Sequence, residues 1–562
     1  MIEPPPQPET SRPAARGGEA RQASPPPQPW WVRLLRHLLA IILLAGTFCG
    51  AYSLYARDND MPIAWHPDER GKIEQVLSEG SHRNFNHPQL LLEGAMLWQR
   101  WFQTPADSFA TALAGRHVSA VFGAATVTLL AAAAYLAAGL PGLIFGALAV
   151  GLCPQLLTYS HYMKEDAALA VGIAAVVFAS RWVWNTKRWW SRLPAWLGLG
   201  AACALATSGK YVGAGTIAMA VLMVLFAPAW RWWSIPFRLL LVTAAMVVVA
   251  LTINYRTLNP DGVDWQKVRQ GDWRSAFDPR FVNGLERETD HSLSEHRGIT
   301  ADKPNTYVLA TAIRQCPWHV LVLAGALPVL LVVGRRHGWG WEMLLILFAA
   351  GFTFLVSFTV ILFARYAMPT VLLLHILAAL SAGRMVQMLA GSRWLQAVVV
   401  VALANVFIIM QLPQTVDFAR QFRDDSREKA KAWLIEHLPP NATVYADEYA
   451  GLGSTSRQFG PLESHRRDVR FHSTFITSDF GSVQSLTSRG ECFVVISSLL
   501  YDRFLEPRNR PTDDFREPFD RAVKFYRELL EKPAPVWKCV EKYPQDAFTS
   551  PDIYIYRLQN NR

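Results

Sequence analysis

Long apolar runs dominate this chain and leave it few ways to fold. Stretches of about 20 hydrophobic residues, each long enough to cross about 30 Å of hydrocarbon as a helix, recur through its first three quarters. They lie near 34–55, 109–138, 141–159, 166–184, 193–208, 212–228, 237–254, 313–333, 342–362, 366–383 and 394–412. That makes about eleven spans, read to within one or two. With 562 residues, 51% of them hydrophobic, and a mean hydropathy of +0.13, the chain is too long for one soluble core. Its polar residues are segregated from its apolar ones. The expected fold is mostly α and polytopic, with a small soluble α/β domain at the C-terminus. The first run does not read as a cleavable signal peptide, because a Pro-rich arm precedes it and no small-residue cleavage site follows.

Basic residues set the orientation. "RLLR" (33–36), "TKRWWSR" (186–192), "RWWSIPFR" (231–238), "GRRHG" (334–338) and "GRMVQMLAGSR" (383–393) fall in alternate loops, as expected if the N-terminus is cytoplasmic. The intervening segments hold the acids and the long loops. The net charge of +10 is then an inside-positive topology signal rather than a nucleic-acid footprint, since it is scattered over loops instead of forming one basic face. The Trp residues beside these loops read as interfacial anchors. The chain is expected in a bacterial cytoplasmic (inner) membrane, with its C-terminal domain periplasmic. Cys49, Cys153, Cys203 and Cys316 lie in or beside spans and read as small hydrophobes. Cys492 and Cys539 fall on the outer side, where a disulfide between them is compatible with an oxidising compartment.

Three regions follow. Residues 1–29 are Pro-rich and polar, a disordered cytoplasmic arm. Residues 30–412 form the transmembrane domain, with outer loops at 56–108 and 255–312. The first loop contains "NHPQLLLEGAMLWQRWF" (86–102), whose apolar spacing suggests a helix along the interface. The second is polar and placed to cover something. From 413 to 562 the composition is that of a soluble domain. "DDSREKAKAWLIEHL" (424–438) reads as a helix stopped by Pro439 and Pro440, and "REPFDRAVKFYRELLE" (516–531) as another. "ATVYADE" (442–448), "CFVVISS" (492–498) and "DIYIYRL" (552–558) read as strands.

The ionisable residues near the membrane gather on the outer side. "WHPDER" (65–70) and "FNHPQL" (85–90) lie in the first outer loop. "YSHYMKEDAAL" (159–169), "TSGKYVG" (207–213) and "FARYAMP" (363–369) lie at outer helix ends. A carboxylate at a partly desolvated surface can act as general base or hold a divalent cation. Cations such as Lys210 and Arg365 can bind a departing phosphate. His66 reads equally as a turn residue before Pro67, and Glu165 with Asp166 as an acidic helix start.

These motifs together resemble the polytopic GT-C glycosyltransferases, in particular the bacterial relatives of protein O-mannosyltransferases and of lipid A aminoarabinose transferases. The elements that carry the resemblance are "HPDER", "NHPQL", "YSHYMKEDAAL", "ATSGKY", "ARYAMP" and the start of the soluble tail, "KAKAWLIEHLPPNATVYADE". "HPQL" stands where that family commonly has "HPPL". The resemblance implies inverting transfer of a sugar from a polyprenyl-phosphate donor to a lipid, glycan or protein acceptor at the outer face. It implies Asp68 as catalytic base with Glu69 beside it, and Asp166 with Glu165 as a second acidic pair. Lys164, Lys210, Arg365, Tyr366 and His87 become the expected substrate-binding set. No cofactor is required; a divalent metal is compatible, with Asp68, Asp166 and His161 as its candidate ligands. Membrane lipids are the other expected partners, and nucleic acid is not. A transporter or flippase for a lipid-linked or anionic substrate is the main rival, and calls for ionisable groups at mid-membrane and paired repeats. A membrane scaffold that does no chemistry is the second.

Overall fold

The computed structural model describes residues 29–79, 81–228, 234–294, 297–302, 306–333, 340–359, 363–389, 392–454, 460–531, 534–540 and 548–559. The Pro-rich arm, apart from Pro29, and the basic loop expected at 334–338 lie outside the described residues. The chain up to Leu43 forms one unit and the chain from Leu44 onward another; the account below concerns the second.

Among the described residues six helices are long and apolar enough to cross a membrane: Trp30–Tyr55, Ser108–Gly151, Glu165–Asn185, Ile235–Ile253, Ala364–Met388 and Arg393–Gln421. Local chemistry explains why this differs from the eleven apolar runs. Ser108–Gly151 contains two of those runs folded back on each other. Gly139 takes φ +68° and ψ −156°, and Pro141 follows it, so a glycine accepts a backbone that other residues resist just before a residue that lacks the helical donor. Beyond the break, a Cβ on Gly142 would meet the Ala134 carbonyl oxygen at 2.3 Å, and one on Gly146 the Ala131 Cα at 2.8 Å. The two arms are therefore antiparallel, with Gly and Ala at the seam, the close packing that small residues give membrane helices.

The run at 313–333 is broken too. Tyr307–Gln315 and Trp318–Val333 meet at 118°, because Cys316, ahead of Pro317, is extended (φ −86°, ψ 134°), as residues before proline tend to be. Tyr211–Phe226 and Gly340–Val356 are shorter apolar helices. Outward-facing Leu240, Val248, Val401 and Ile409 are exposed, which suits a surface solvated by lipid tails.

Among the described residues seven strands follow in chain order: β1 (Ile299–Ala301), β2 (Thr443–Asp447), β3 (Arg470–Thr474), β4 (Cys492–Ser497), β5 (Asn509–Pro511), β6 (Trp537–Cys539) and β7 (Ile553–Leu558). Five of them form a sheet in the order β3-β2-β4-β7-β6. β2 is parallel to β3 and β4, and β7 is antiparallel to β4 and β6. β4 is buried along its whole length, as a central strand covered on both faces should be. Its alternate side chains divide between two cores. Cys492, Val494 and Ile496 pack with Phe519, Phe525 and Leu529 of the helix Arg516–Glu531, while Phe493 and Val495 pack with Ala430 and Leu434 of the helix Ser426–His437.

The register separates Cys492 from Cys539: Cys492 lies opposite Leu558 and Cys539 opposite Ile553. They face opposite ends of β7, about 16 Å apart along the strand, and they are not joined by a disulfide. That is well beyond disulfide reach.

Two features join the sheet region to the bundle. β1, from the second long loop, pairs antiparallel with β5. Arg427, buried beside Asp425, donates to the Trp65 carbonyl at 3.2 Å and the Phe548 carbonyl at 2.7 Å.

Candidate active site

Pro67 opens the helix Pro67–Leu77, and the buried His66 ring caps it by accepting the Asp68 amide at 3.2 Å. Tyr162 and Phe548 pack on that ring, and burial keeps His66 well below its ordinary pKa, hence neutral. Asp68 and Glu69 occupy the first turn, where the helix dipole favours negative charge. Successive helical residues point about 100° apart, and this step separates the two carboxylates.

Glu69 is fully buried. It receives Arg116 through Nε at 2.9 Å and the terminal guanidinium nitrogen at 2.5 Å, and the Met163 amide at 2.9 Å. Asp68 points the other way. Its side chain is 36% exposed and it lines a cavity of about 760 Å³ between the bundle end and the sheet region. Its carboxylate is bonded to the buried Lys164 ammonium. Burial works against its ionisation, but Lys164 and then Lys72 outweigh that and hold the carboxyl well below the usual carboxylate range.

The remaining predicted residues form two linked groups. Glu165 pairs with Lys72 at 3.2 Å and Lys164 at 3.5 Å. Asp166 pairs with Lys210 at 3.0 Å, and Lys210 lies 5.0 Å from the centre of the Tyr366 ring. Arg365 lies over Phe363 at 4.6 Å and Tyr366 at 5.8 Å, and its buried Nε meets no hydrogen-bond partner among the described residues. Among the predicted residues, Asp68 and Arg365 line the cavity, so one carboxylate and one cation meet the same space. His87 places its Nδ1 3.9 Å from Glu288, and both groups lie within electrostatic reach of Glu165, Lys164 and Lys210. Burial pushes His87 down to about 3 and Glu288 up to about 7.

Asp68, Asp166 and His161 are not brought together as a ligand set. Each carboxylate has its own ammonium. His161 faces the Leu157 and Arg57 carbonyls at 2.7 and 3.0 Å and stacks on Phe422 at 4.0 Å. Among the described residues no group of three or more His, Cys, Asp or Glu is arranged to hold a metal ion.

Sequence reasoning passed over several neighbours. Arg116 was signalled only by being a lone cation inside an apolar run. Lys72 and Glu288 stood in charged stretches without distinction, and nothing local marked Tyr449 or Arg503 of the cavity's far wall. The ionisable residues also do not all gather at one end of the bundle. Glu342, fully buried, binds Arg384 and lies 3.9 Å from Arg181. Arg181 and Arg384 stand at the opposite helix ends from Glu165 and Arg365.

The fold and site define a multi-pass helical membrane protein with a charged cavity between its bundle and a small α/β region. No family model matches the chain, and no curated protein matches it. Among solved structures it is similar to ArnT from Cupriavidus metallidurans bound to undecaprenyl phosphate, with 15% identity and a TM-score of 0.48 over 93% of this chain and 98% of that one. It is also similar to the S. cerevisiae protein O-mannosyltransferase Pmt1-Pmt2 complex bound to the sugar donor, with 19% identity and a TM-score of 0.34 over 43% of this chain and 37% of that one. A third likeness is to the apo oligosaccharyltransferase of Archaeoglobus fulgidus, with 11% identity and a TM-score of 0.42 over 84% of this chain and 70% of that one.

Proposed function

We propose that this protein is an inverting membrane glycosyltransferase. It takes a sugar from a polyprenyl-phosphate donor and passes it to an acceptor at the outer face of a bacterial inner membrane, the N-terminus being cytoplasmic and the C-terminal region periplasmic. The observation that carries the reading is the pairing, in one cavity, of the half-exposed Asp68 carboxylate with Arg365. A displacement at a sugar phosphate needs those two functions: a base toward the acceptor and a cation toward the leaving group.

Asp68 takes the proton of an acceptor hydroxyl as its oxygen bonds to C1 of the sugar. The C1–oxygen bond to phosphate breaks, and polyprenyl phosphate leaves with the bonding pair, its charge met by Arg365. Lys164, buried against Asp68, orients the carboxylate toward the cavity and keeps it ionised. Glu69, locked under Arg116, positions the helix that bears Asp68. Glu165 and Asp166 hold Lys72, Lys164 and Lys210 in place behind the cavity.

The test is Asp68→Asn in the full-length protein, purified in detergent and given a radiolabelled polyprenyl-phosphate sugar with cell-envelope acceptors. Transfer should fall by about 100-fold or more, as loss of a general base does, with little change in thermal melting. A folded Asp68→Asn protein that transfers sugar at the wild-type rate overturns the assignment of Asp68.

A further inference from the structure

The far wall of the cavity has a chemistry that the reaction above leaves unused. The guanidinium groups of Arg297 and Arg503 lie 4.8 and 6.0 Å from the same Phe475 ring. Arg297 comes from the segment before β1, Arg503 from the helix Ser498–Leu505, and Tyr449 from the short turn after β2. All three line the cavity with Asp68 and Arg365. Among the described residues, five guanidinium groups, those of Arg297, Arg314, Arg365, Arg503 and Arg508, line it against three carboxylates, Asp68, Asp502 and Glu506. Asp68 pairs with Lys164 and Glu506 with Arg508 at 2.6 and 3.1 Å. The described lining is therefore cationic in excess of its own acids.

It is also a built surface. Asp447, fully buried at the end of β2, accepts the Ala450 amide at 2.9 Å and the Ser497 amide at 2.7 Å. One carboxylate thus fixes both the turn that presents Tyr449 and the start of the helix that presents Arg503. Both stand at the carboxyl ends of the parallel strands β2 and β4, the edge at which open sheets bind ligands. Arg297 itself holds φ +51°, an unusual backbone for a residue with a side chain, which persists only where its surroundings impose it.

We propose that Arg297 and Arg503, with the Tyr449 hydroxyl, form an oxyanion subsite that binds a phosphate or carboxylate carried by the acceptor. The planar guanidinium fork suits such a group, which it can bind through two parallel hydrogen bonds. Arg365, on the bundle side, remains for the donor phosphate, and a cavity of about 760 Å³ falls in the range that holds a medium-sized ligand. The word acceptor rests on the sugar-transfer reading; the anion subsite does not.

The experiment is protection of arginines in the full-length protein, held in discs of zwitterionic lipid. Phenylglyoxal labelling of Arg297 and Arg503 is followed by peptide mass spectrometry with inorganic phosphate, with dodecyl phosphate, or with chloride at equal ionic strength. Either phosphate probe should slow labelling of both arginines severalfold, and Tyr449→Phe should weaken that protection. Protection by dodecyl phosphate alone identifies a lipid-borne anion; protection by both identifies a site open to soluble anions. Arg365→Gln should leave protection at Arg297 and Arg503 intact. Labelling that neither probe slows overturns the subsite, as does Arg297→Gln leaving protection of Arg503 at its full extent. Because no donor is present, a protein that fails to transfer sugar yet shows protection loses the glycosyltransferase reading and keeps the subsite.

Discussion

Arg116 reaches across 47 residues of sequence to bind Glu69 through two nitrogens, at 2.5 and 2.9 Å, and neither side chain is exposed to solvent. The same guanidinium donates to the carbonyls of Asn59 and Met61 at 2.8 and 2.5 Å. It therefore pins both the approach to the Asp68 helix and its first turn. Removing one partner of a buried pair leaves a desolvated charge behind and costs about 3–5 kcal/mol. Arg116→Met is expected to lower the melting temperature sharply in detergent, whereas Asp68→Asn is expected to change it far less, because Asp68 is partly exposed and Lys164 keeps Glu165 as a partner at 3.5 Å. Equal melting of Arg116→Met and wild type would remove Glu69 from its positioning role.

A second pair permits a cycle. Asp166 and Lys210 are 3.0 Å apart and nearly buried. Lys210→Met should destabilise the chain by about 3–5 kcal/mol by leaving Asp166 without its cation. Adding Asp166→Asn to that variant removes the stranded charge and should recover part of the loss. Melting of the two single variants and the double variant gives the coupling; strictly additive losses would show that the two groups do not act as a pair.

Periodicity made much of this architecture readable. The apolar, β-branched and aromatic runs in "ATVYADE", "CFVVISS" and "DIYIYRL" place β2, β4 and β7, with β4 a continuous apolar run because both of its faces are buried. β3, "RFHST", escaped notice because it is an edge strand with exposed and intermediate side chains and so carries no apolar signature. β1, β5 and β6 are three residues each, too short for any pattern. Of the residues that the motifs single out, Asp68 and Arg365 line the cavity. The different surroundings of Asp68 and Glu69 could not be read locally, since they depend on a helical step of about 100° and on an arginine far along the chain. The wall formed by Arg297, Tyr449 and Arg503 is a product of tertiary assembly for the same reason.

Glu288 should give the protein a pH-dependent stability. Burial raises its carboxyl from an ordinary 4.5 to about 7, although Lys210 and Lys164 pull it back. The neighbouring His87, itself held neutral by burial, supplies no compensating charge. Because the folded pKa is the higher one, the folded chain binds this proton more tightly, and the resulting stability is lost as pH rises from about 4.5 to about 7, by up to about 1.4 kcal/mol per pH unit. Glu288→Gln is permanently neutral. It should melt like wild type at pH 5 and above wild type at pH 8. A constant difference between the two proteins at both pH values would contradict the shift.

The strap from the second long loop to the sheet region depends on Gly298. This residue has φ +75°, and a Cβ there would meet Phe515 Cβ at 2.5 Å and Cγ at 2.6 Å. On either side of the β1–β5 pairing, the Thr512 amide donates to the Gly298 carbonyl and the Asp302 amide to the Arg508 carbonyl, each at 2.8 Å. Gly298→Ala adds backbone strain of about 1 kcal/mol or more to a steric clash that Phe515 must move to relieve. Hydrogen exchange at the Thr512 and Asp302 amides should then quicken by about tenfold or more, since about 1.4 kcal/mol of local opening free energy corresponds to that factor. Gly325→Ala, where a Cβ meets nothing within 4 Å, serves as the control and should leave both amides unchanged. Equal protection in Gly298→Ala and wild type would mean that the β1–β5 pair does not hold the loop, and Arg297 would then lack the support that places it in the cavity wall.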